Sequence, residues 1–542
     1  MKDTVNTNKR LMEMVTLQES VIEDLTREVT KMKGGDGGPD VGEALIKELS
    51  EARSTIKEME AMLRRPQDTA VVNPPSSASA GTPAVKVDPA AAHRTALQES
   101  CDKKFGRGLL DSWFSSPKVV CDGGSSKVVC YTHKHPWRDD VQSFCVGDNI
   151  EVDFGKIKGV HAVDKKPARG RGMYLNFEGG AFGGDCEKTA EWGNVRFMPH
   201  ADLALRTFEA GRSVGGGRVE GSATYLLARD EDSENAFHST SDFINMHMVM
   251  EGMGIDRANV LLFDLMPDGP FKEMIDVAFS KGGKSKRKEE YGEDKVTFRK
   301  LIFHLESPAG IIFPKIGVVG GKKQLDCRDS YLWHGYRERV LRAFQLWDVP
   351  PPRVPSITLV VRRRTPSKNV GRILSNEAEV TAVIKECQLC THQVLDLATL
   401  TYREQLEAVR GTSVLVGVHG AGLMNVLFAA EEAVLIEVHP HYRMDRHFRV
   451  ASRMSGKFYM PMRTRERVTC QGSSDNVKVD VEEFRRVLDG AVRMARSFDD
   501  GISECGLKCP GGILALDNGR DEMYSKLGVN KESRPDTRFP CG

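Results

Sequence analysis

The sequence predicts an α/β protein, two doubly wound halves in tandem preceded by an N-terminal coiled-coil stalk, and three observations carry that reading. Short apolar runs alternate with amphipathic stretches from about 155 to 350 and again from 356 to 496, the order expected of strands and helices in a largely parallel sheet. Pro350-Pro351-Pro352 separates the two alternations. Upstream, apolar residues recur at 4-3 spacing and then give way to a segment rich in Pro, Ala and Ser.

Residues 1–64 place Leu11, Val15, Ile22, Leu25, Val29 and Met32 on a coiled-coil seam, and after a break at Gly34 to Pro39 they do so again with Leu45, Leu49, Ala52, Ile56, Met59 and Leu63. A stalk of this kind offers a homo-oligomer contact. Residues 65–96 hold almost no large apolar groups, which predicts a flexible linker. The domain at 97–350 opens with a cysteine-rich lead-in to about Asp153. It continues with strands at Met173 to Phe177, Ala223 to Ala228, Val260 to Leu265 and Gly310 to Pro314, and helices at Ser239 to Glu251, Phe271 to Phe279 and Tyr336 to Leu346. Gly282 to Asp294 reads as a charged loop. The domain at 351–500 has strands at Ser356 to Arg362, Gln393 to Leu397, Val414 to Val418, Ala433 to Val438 and Phe458 to Pro461, with helices at Glu377 to Glu386, Tyr402 to Arg410, Asp445 to Ser455 and Val481 to Arg496. Residues 501–542 form a cysteine-containing tail.

A net charge of +1 over 542 residues provides no bulk field to recruit nucleic acid or an anionic membrane, so any basic site is local. No run of 18 apolar residues occurs and the N-terminus lacks the apolar stretch of a signal peptide, so the chain reads as soluble. Its 12 cysteines point the other way, to disulfides of an oxidising compartment, with the pairing open. An N-terminal anchor outside this chain would reconcile the two.

The chemistry concentrates at Val414 to Val438. A buried-type strand runs into His419-Gly420-Ala421-Gly422, a helix-like stretch follows at Leu423 to Phe428, and a second apolar run is interrupted only by Glu437. Such a turn brings backbone N–H groups and a helix N-terminus against an anion, with the glycines leaving room for phosphate. Glu437, on the next strand, is placed to accept from ribose hydroxyls. Nucleotide binding is the reading. On the residues alone, a nicotinamide- or flavin-dependent oxidoreductase competes, because Gly420-x-Gly422 followed by an acid imitates the dinucleotide fingerprint, although Asn425 stands where the third glycine would.

Other residues carry further chemistry. Arg362, Arg363 and Arg364 follow a strand, with Lys368, Arg372 and Asn376 beyond them, and guanidinium forks match phosphate oxygens. His238 and Asp242 are four apart on a helix and so share one face, as a base and its orienting partner would. Asp230-Glu231-Asp232 after a strand offers carboxylates for a divalent metal such as Mn. Cys387 and Cys390 read as packed or bridged thiols, and His304 and Glu306 as acid or base groups without a distinguishing context.

Three stretches, NAFHSTSDFINMH (235–247), VRRRTPSKNVGRILSNEAEV (361–380) and VGVHGAGLMNVLFAAEEAVLIEVHP (416–440), together resemble glycosyltransferase family 61, which contains extracellular O-linked N-acetylglucosamine transferases and plant xylan glycosyltransferases. The resemblance implies an inverting transferase of GT-B type with two facing Rossmann-like domains. The C-terminal one would bind a UDP-sugar donor carrying GlcNAc or a pentose, and the N-terminal one a protein or polysaccharide acceptor. Carried over, His419, Gly420, Ala421 and Gly422 would line the diphosphate, Arg362 and Arg372 would meet the phosphates, and Glu437 the ribose. Asn376 and Asn425 would complete the donor side, and His238 or Asp242 would be the base. Arginine charge can stabilise the leaving diphosphate without a metal. The family sits in the lumen of the Golgi or endoplasmic reticulum. A transferase-like scaffold without turnover is the remaining alternative.

Overall fold

The structure, a computed structural model, describes residues 99, 101–134, 141–161, 174–195, 204–229, 233–304, 327, 329–363, 371–440, 447–464 and 476–499. The stalk, the linker, the tail, Asp230 to Asp232, the strand expected at Gly310 to Pro314, Glu306, Arg364 and Lys368 lie outside the described residues. All of those described fall within one compact unit, Val87–Gly542.

The C-terminal sheet is five-stranded and wholly parallel, in the order Thr391–Leu395, Ser356–Val360, Val414–Val418, Val434–His439, Phe458–Arg463. Numbered along the chain this is 2-1-3-4-5, a doubly wound order. Its strands are nearly continuous apolar runs because both faces are covered. Ile357, Leu359, Val414, Val416, Ile436 and Val438 pack on one side with Val380 and Ile384 of the helix Glu377–Lys385 and Phe484 and Leu488 of Val481–Asp499. Leu415 and Leu435 point to the other side, into a core shared with Leu406 and Phe448. The element after the glycine turn is a 3-10 helix, Ala421–Phe428, rather than an α-helix.

The N-terminal sheet is mixed rather than doubly wound. Thr224–Leu227 is parallel to Asn259–Leu262 and to Lys295–Phe303. Lys295–Phe303 then pairs antiparallel with Val141–Asp153, and the cysteine lead-in continues antiparallel through Lys127–Lys134 and Pro117–Asp122. The lead-in is therefore part of the sheet. Disulfides join Cys121 to Cys186 and Cys130 to Cys145, the latter pair facing each other across adjacent strands, and Cys101 to Cys327. Cys387 and Cys390, read as packed or bridged thiols, are bridged. The charged insert contributes a short edge strand, Lys286–Arg287, and helix Phe271 to Phe279 resolves into one α turn and the π-helix Ile275–Phe279.

The helix Ala236–Gly252 is buried almost all round, with Phe243, Ile244, Met246, Met248 and Met250 in the same core as Leu332, Tyr336, Met424 and Phe428. It carries Asp242, Asn245 and His247 inside as well. Buried polar side chains cost stability unless partnered, so this helix bears on chemistry as well as packing. Asn235 caps it, its side chain accepting from the Phe237 N–H at 3.0 Å.

Burial lowers the His247 pKa from 6.5 to about 3, with the nearby Arg339 adding to the shift. A folded pKa below the unfolded one means that the contribution is complete above pH 6.5 and is lost as pH falls toward 3, at up to about 1.4 kcal/mol per pH unit. Denaturant midpoints taken from pH 7 to pH 4 are expected to show that slope. In His247→Phe the loss over this range shrinks by about 3 kcal/mol; parallel profiles for the two proteins would refute the assignment.

Candidate active site

In a 2-1-3-4-5 sheet the crevice for ligands lies beyond the carboxyl ends of the first and third strands, where the winding reverses. Here those strands are Ser356–Val360 and Val414–Val418, and the residues that follow them are Arg362 and His419-Gly420. The structure brings these together. A Cβ on Gly420 would stand 2.6 Å from Arg362 Nη1, so the guanidinium lies against bare backbone. Arg372, in a left-handed conformation at φ 60°, donates from Nη1 to the His419 carbonyl at 2.9 Å. Gly422 faces Leu397 and Val360, where a Cβ would be 3.2 Å from Leu397 Cδ1.

The His419 imidazole is buried and shares a hydrogen bond between Nδ1 and Glu437 Oε1 at 2.5 Å. Sheet register explains the pair. Gly417 stands opposite Glu437, and strand alternation puts Leu435, Glu437 and His439 on one face. Glu437 Oε2 accepts from the Tyr459 hydroxyl at 2.7 Å, and the Tyr459 hydroxyl oxygen lies 2.8 Å from His439 Nε2. The carboxylate that sequence placed at a ribose is thus enclosed by His419, Tyr459 and His439, with no exposure to solvent.

His419, Glu437 and His439 present ligand atoms within 4.8 Å of one another, a donor set of the kind that takes a divalent ion. The short bond from His419 to Glu437, and the Tyr459 hydroxyl within hydrogen-bond reach of both Glu437 and His439, fit a hydrogen-bonded network better than a cage of free ligands.

A second cluster joins the first through the start of the helix Ala236–Gly252. Phe237 packs on His447 with ring centroids 4.5 Å apart, and Phe448 packs on His419 at 5.1 Å. His238, half-buried, meets Phe237 edge to face. Asp242 lies deeper, 1% exposed, with Oδ1 3.5 Å from His304 Nε2. His304 Nδ1 in turn lies 3.0 Å from the Tyr225 hydroxyl. Asp242 is therefore aligned with His304, a residue named from sequence, which stands one residue past Lys295–Phe303, a strand that was not.

The remaining predicted residues contact the surrounding fold. Asn376 exchanges hydrogen bonds with the Val479 backbone, at 2.9 Å and 3.0 Å, and reaches Glu379. Asn425 donates to the Gly422 carbonyl at 3.1 Å and lies 3.4 Å from Gln405. Ala421, partly buried, opens the 3-10 turn, and Arg363 pairs with Glu377 at 2.6 Å. Tyr459, His439, His447 and Phe448 were not singled out from sequence. The period-2 pattern from Glu437 to His439 was the signal available for one of them.

Comparison with known proteins finds a family match over the same region. A family described as Glycosyltransferase 61 matches residues 237–436. The chain is similar to the EGF domain-specific O-linked N-acetylglucosamine transferase of Drosophila melanogaster, 25% identical over 294 residues, covering 50% of this chain and 54% of the relative. The Gallus gallus protein of that name is 23% identical over 287 residues, 48% of this chain and 50% of the relative. The Pan troglodytes protein is 22% identical over 377 residues, 63% and 66%. The chain thus spans half to two thirds of the length of these relatives. Residues 237–436, from the start of the central helix to the strand that carries Glu437, are thus the part of the chain similar to glycosyltransferase 61.

Proposed function

We propose that this chain is an inverting glycosyltransferase that moves a sugar, GlcNAc or a pentose, from a UDP-linked donor to a hydroxyl of a protein or glycan. The observation that carries the reading is the convergence at the switch point: two guanidinium groups, the glycine backbone and a carboxylate-oriented imidazole just past the carboxyl ends of two adjacent strands. In the reaction the acceptor oxygen attacks the anomeric carbon, its proton passes to a base, and the sugar–phosphate C–O bond breaks with its electron pair leaving on UDP.

Arg362, Arg372 and the backbone at Gly420 stabilise the departing diphosphate, and His419, held by Glu437, stands beside them. His238, or Asp242 with His304 behind it, takes the acceptor proton. The similarity to O-linked N-acetylglucosamine transferases favours GlcNAc as the sugar. The four disulfides fit an oxidising lumen such as that of the Golgi or endoplasmic reticulum. Among the described residues, no helix is long and apolar enough to cross a membrane.

Thermal unfolding with added nucleotide tests the donor. UDP at a hundred times its dissociation constant adds about 2.7 kcal/mol to stability, whereas NAD adds none. Release of UDP from UDP-GlcNAc, UDP-xylose or UDP-arabinose in the presence of hydroxyl acceptors tests the transfer. Stabilisation by NAD alone would assign the fold to oxidoreductase chemistry, and UDP binding without turnover of any donor would assign it to a scaffold.

A further inference from the structure

The far end of the central helix holds a second feature. Nine residues beyond His238, roughly 13 Å along the helix axis, His247 lies on a cavity of about 430 Å³ formed with Asp256, Arg257 and the helix Tyr331–Ala343. His247 is only 2% exposed. Arg339 Nε donates to its Nδ1 at 3.2 Å, which puts the imidazole hydrogen on Nε2. Among the described residues Nε2 has no hydrogen-bond partner. A Cβ on Gly335, also on the cavity wall, would stand 3.0 Å from it. A buried N–H beside a missing side chain calls for an acceptor oxygen.

The walls define that oxygen's carrier. Arg257, Arg339 and Arg342 share the cavity with Glu251, Asp256 and Glu338, three charges against three. Arg339 pairs with Asp256 at 3.3 Å and Arg342 with Glu338 at 2.7 Å, while Arg257 donates to the Val277 carbonyl at 2.8 Å. Guanidinium charge matched in this way does not select a phosphate. Tyr331, 45% exposed, adds an aromatic wall, with its hydroxyl donating to Glu251 at 2.7 Å. Forked donors and paired acceptor oxygens around an exposed ring suit a ligand with many hydroxyls and no net charge.

We propose that this cavity binds a neutral sugar residue and is a glycan site separate from the transfer centre. His247 Nε2 donates to a sugar oxygen in the space left by Gly335, and Tyr331 covers one face of the ring. This assignment does not depend on the transferase reading, because it concerns binding alone.

The test is saturation-transfer NMR on the full chain with cellobiose, N,N′-diacetylchitobiose and xylobiose, without nucleotide. At least one disaccharide should bind with a dissociation constant on the order of 1 mM. Binding should weaken about tenfold or more both in Tyr331→Ala and in Gly335→Ala, whose methyl occupies the space at Nε2, and should persist in His419→Ala. Gly335→Ala suits a helix interior, so a melting curve at or above the parent's separates lost binding from lost folding. The proposal is overturned if no disaccharide binds at about 20 mM, if inorganic phosphate competes, or if His419→Ala abolishes binding while Tyr331→Ala leaves it intact.

Discussion

Replacing Glu437 by Gln is expected to lower sugar transfer about a thousandfold while the chain stays folded. The side chain is fully buried, and the replacement keeps its shape. What changes is the character of one atom. Oε1 accepts from His419 Nδ1 at 2.5 Å and Oε2 from the Tyr459 hydroxyl at 2.7 Å, so the carboxylate fixes the imidazole with its Nε2 turned away from the sheet partner. An amide offers an acceptor to only one of the two. If its oxygen stays with Tyr459, its NH₂ meets Nδ1 and forces the other tautomer; if it turns, Tyr459 loses its acceptor. Either way His419 can no longer become a stabilised imidazolium beside the leaving diphosphate. UDP release at saturating donor measures the rate, and thermal unfolding measures the fold. Because the two residues act as a unit, the double variant Glu437→Gln/His419→Ala should fall to the same floor as His419→Ala alone. A loss of only a few fold in Glu437→Gln would remove His419 from the chemistry.

Much of this arrangement is legible in the sequence where one residue pattern admits one structure. The run Val414 to Val418 followed by two glycines specifies a buried strand and a tight turn, and Ala236 to Gly252 has the length and composition of a core helix. What the sequence hides is pairing between elements. Lys295–Phe303 is broken up by Lys295, Arg299 and Lys300 and follows a charged insert, so it does not read as a central strand; without it, His304 has no address. Asp242 then reads as a partner of His238, its neighbour at helical spacing, and the structure adds His304 at 3.5 Å. Glu437 gains a partner that the pattern does not show. The dinucleotide pattern suggests an acid at a ribose, and the register of Gly417 against Glu437 sets that acid beside His419. The first sheet is mixed for a related reason: the cysteine segment reads as a lead-in by composition, but its residues 127–134 and 141–153 extend the sheet by antiparallel pairing.

A single methyl at Gly420 is expected to weaken the binding of UDP by about tenfold to a hundredfold without destabilising the chain. Gly420 has φ 177°, extended backbone open to any residue, so Gly420→Ala carries no conformational penalty. Its Cβ would stand 2.6 Å from Arg362 Nη1, however, and the guanidinium must move off the turn. Removing the guanidinium outright in Arg362→Gln should lower kcat/KM about 10²–10³-fold, the size of effect seen when one preorganised donor to a developing charge is lost. Gly422→Ala is the control: its Cβ would meet Leu397 Cδ1 at 3.2 Å, an apolar contact that can shift by a few tenths of an ångström. The decisive variant is the double one. If Gly420→Ala acts by displacing Arg362, it adds nothing once Arg362 is Gln, and the two losses do not sum. Additive losses in kcat/KM would show instead that the glycine backbone meets the ligand by itself and that Arg362 works elsewhere.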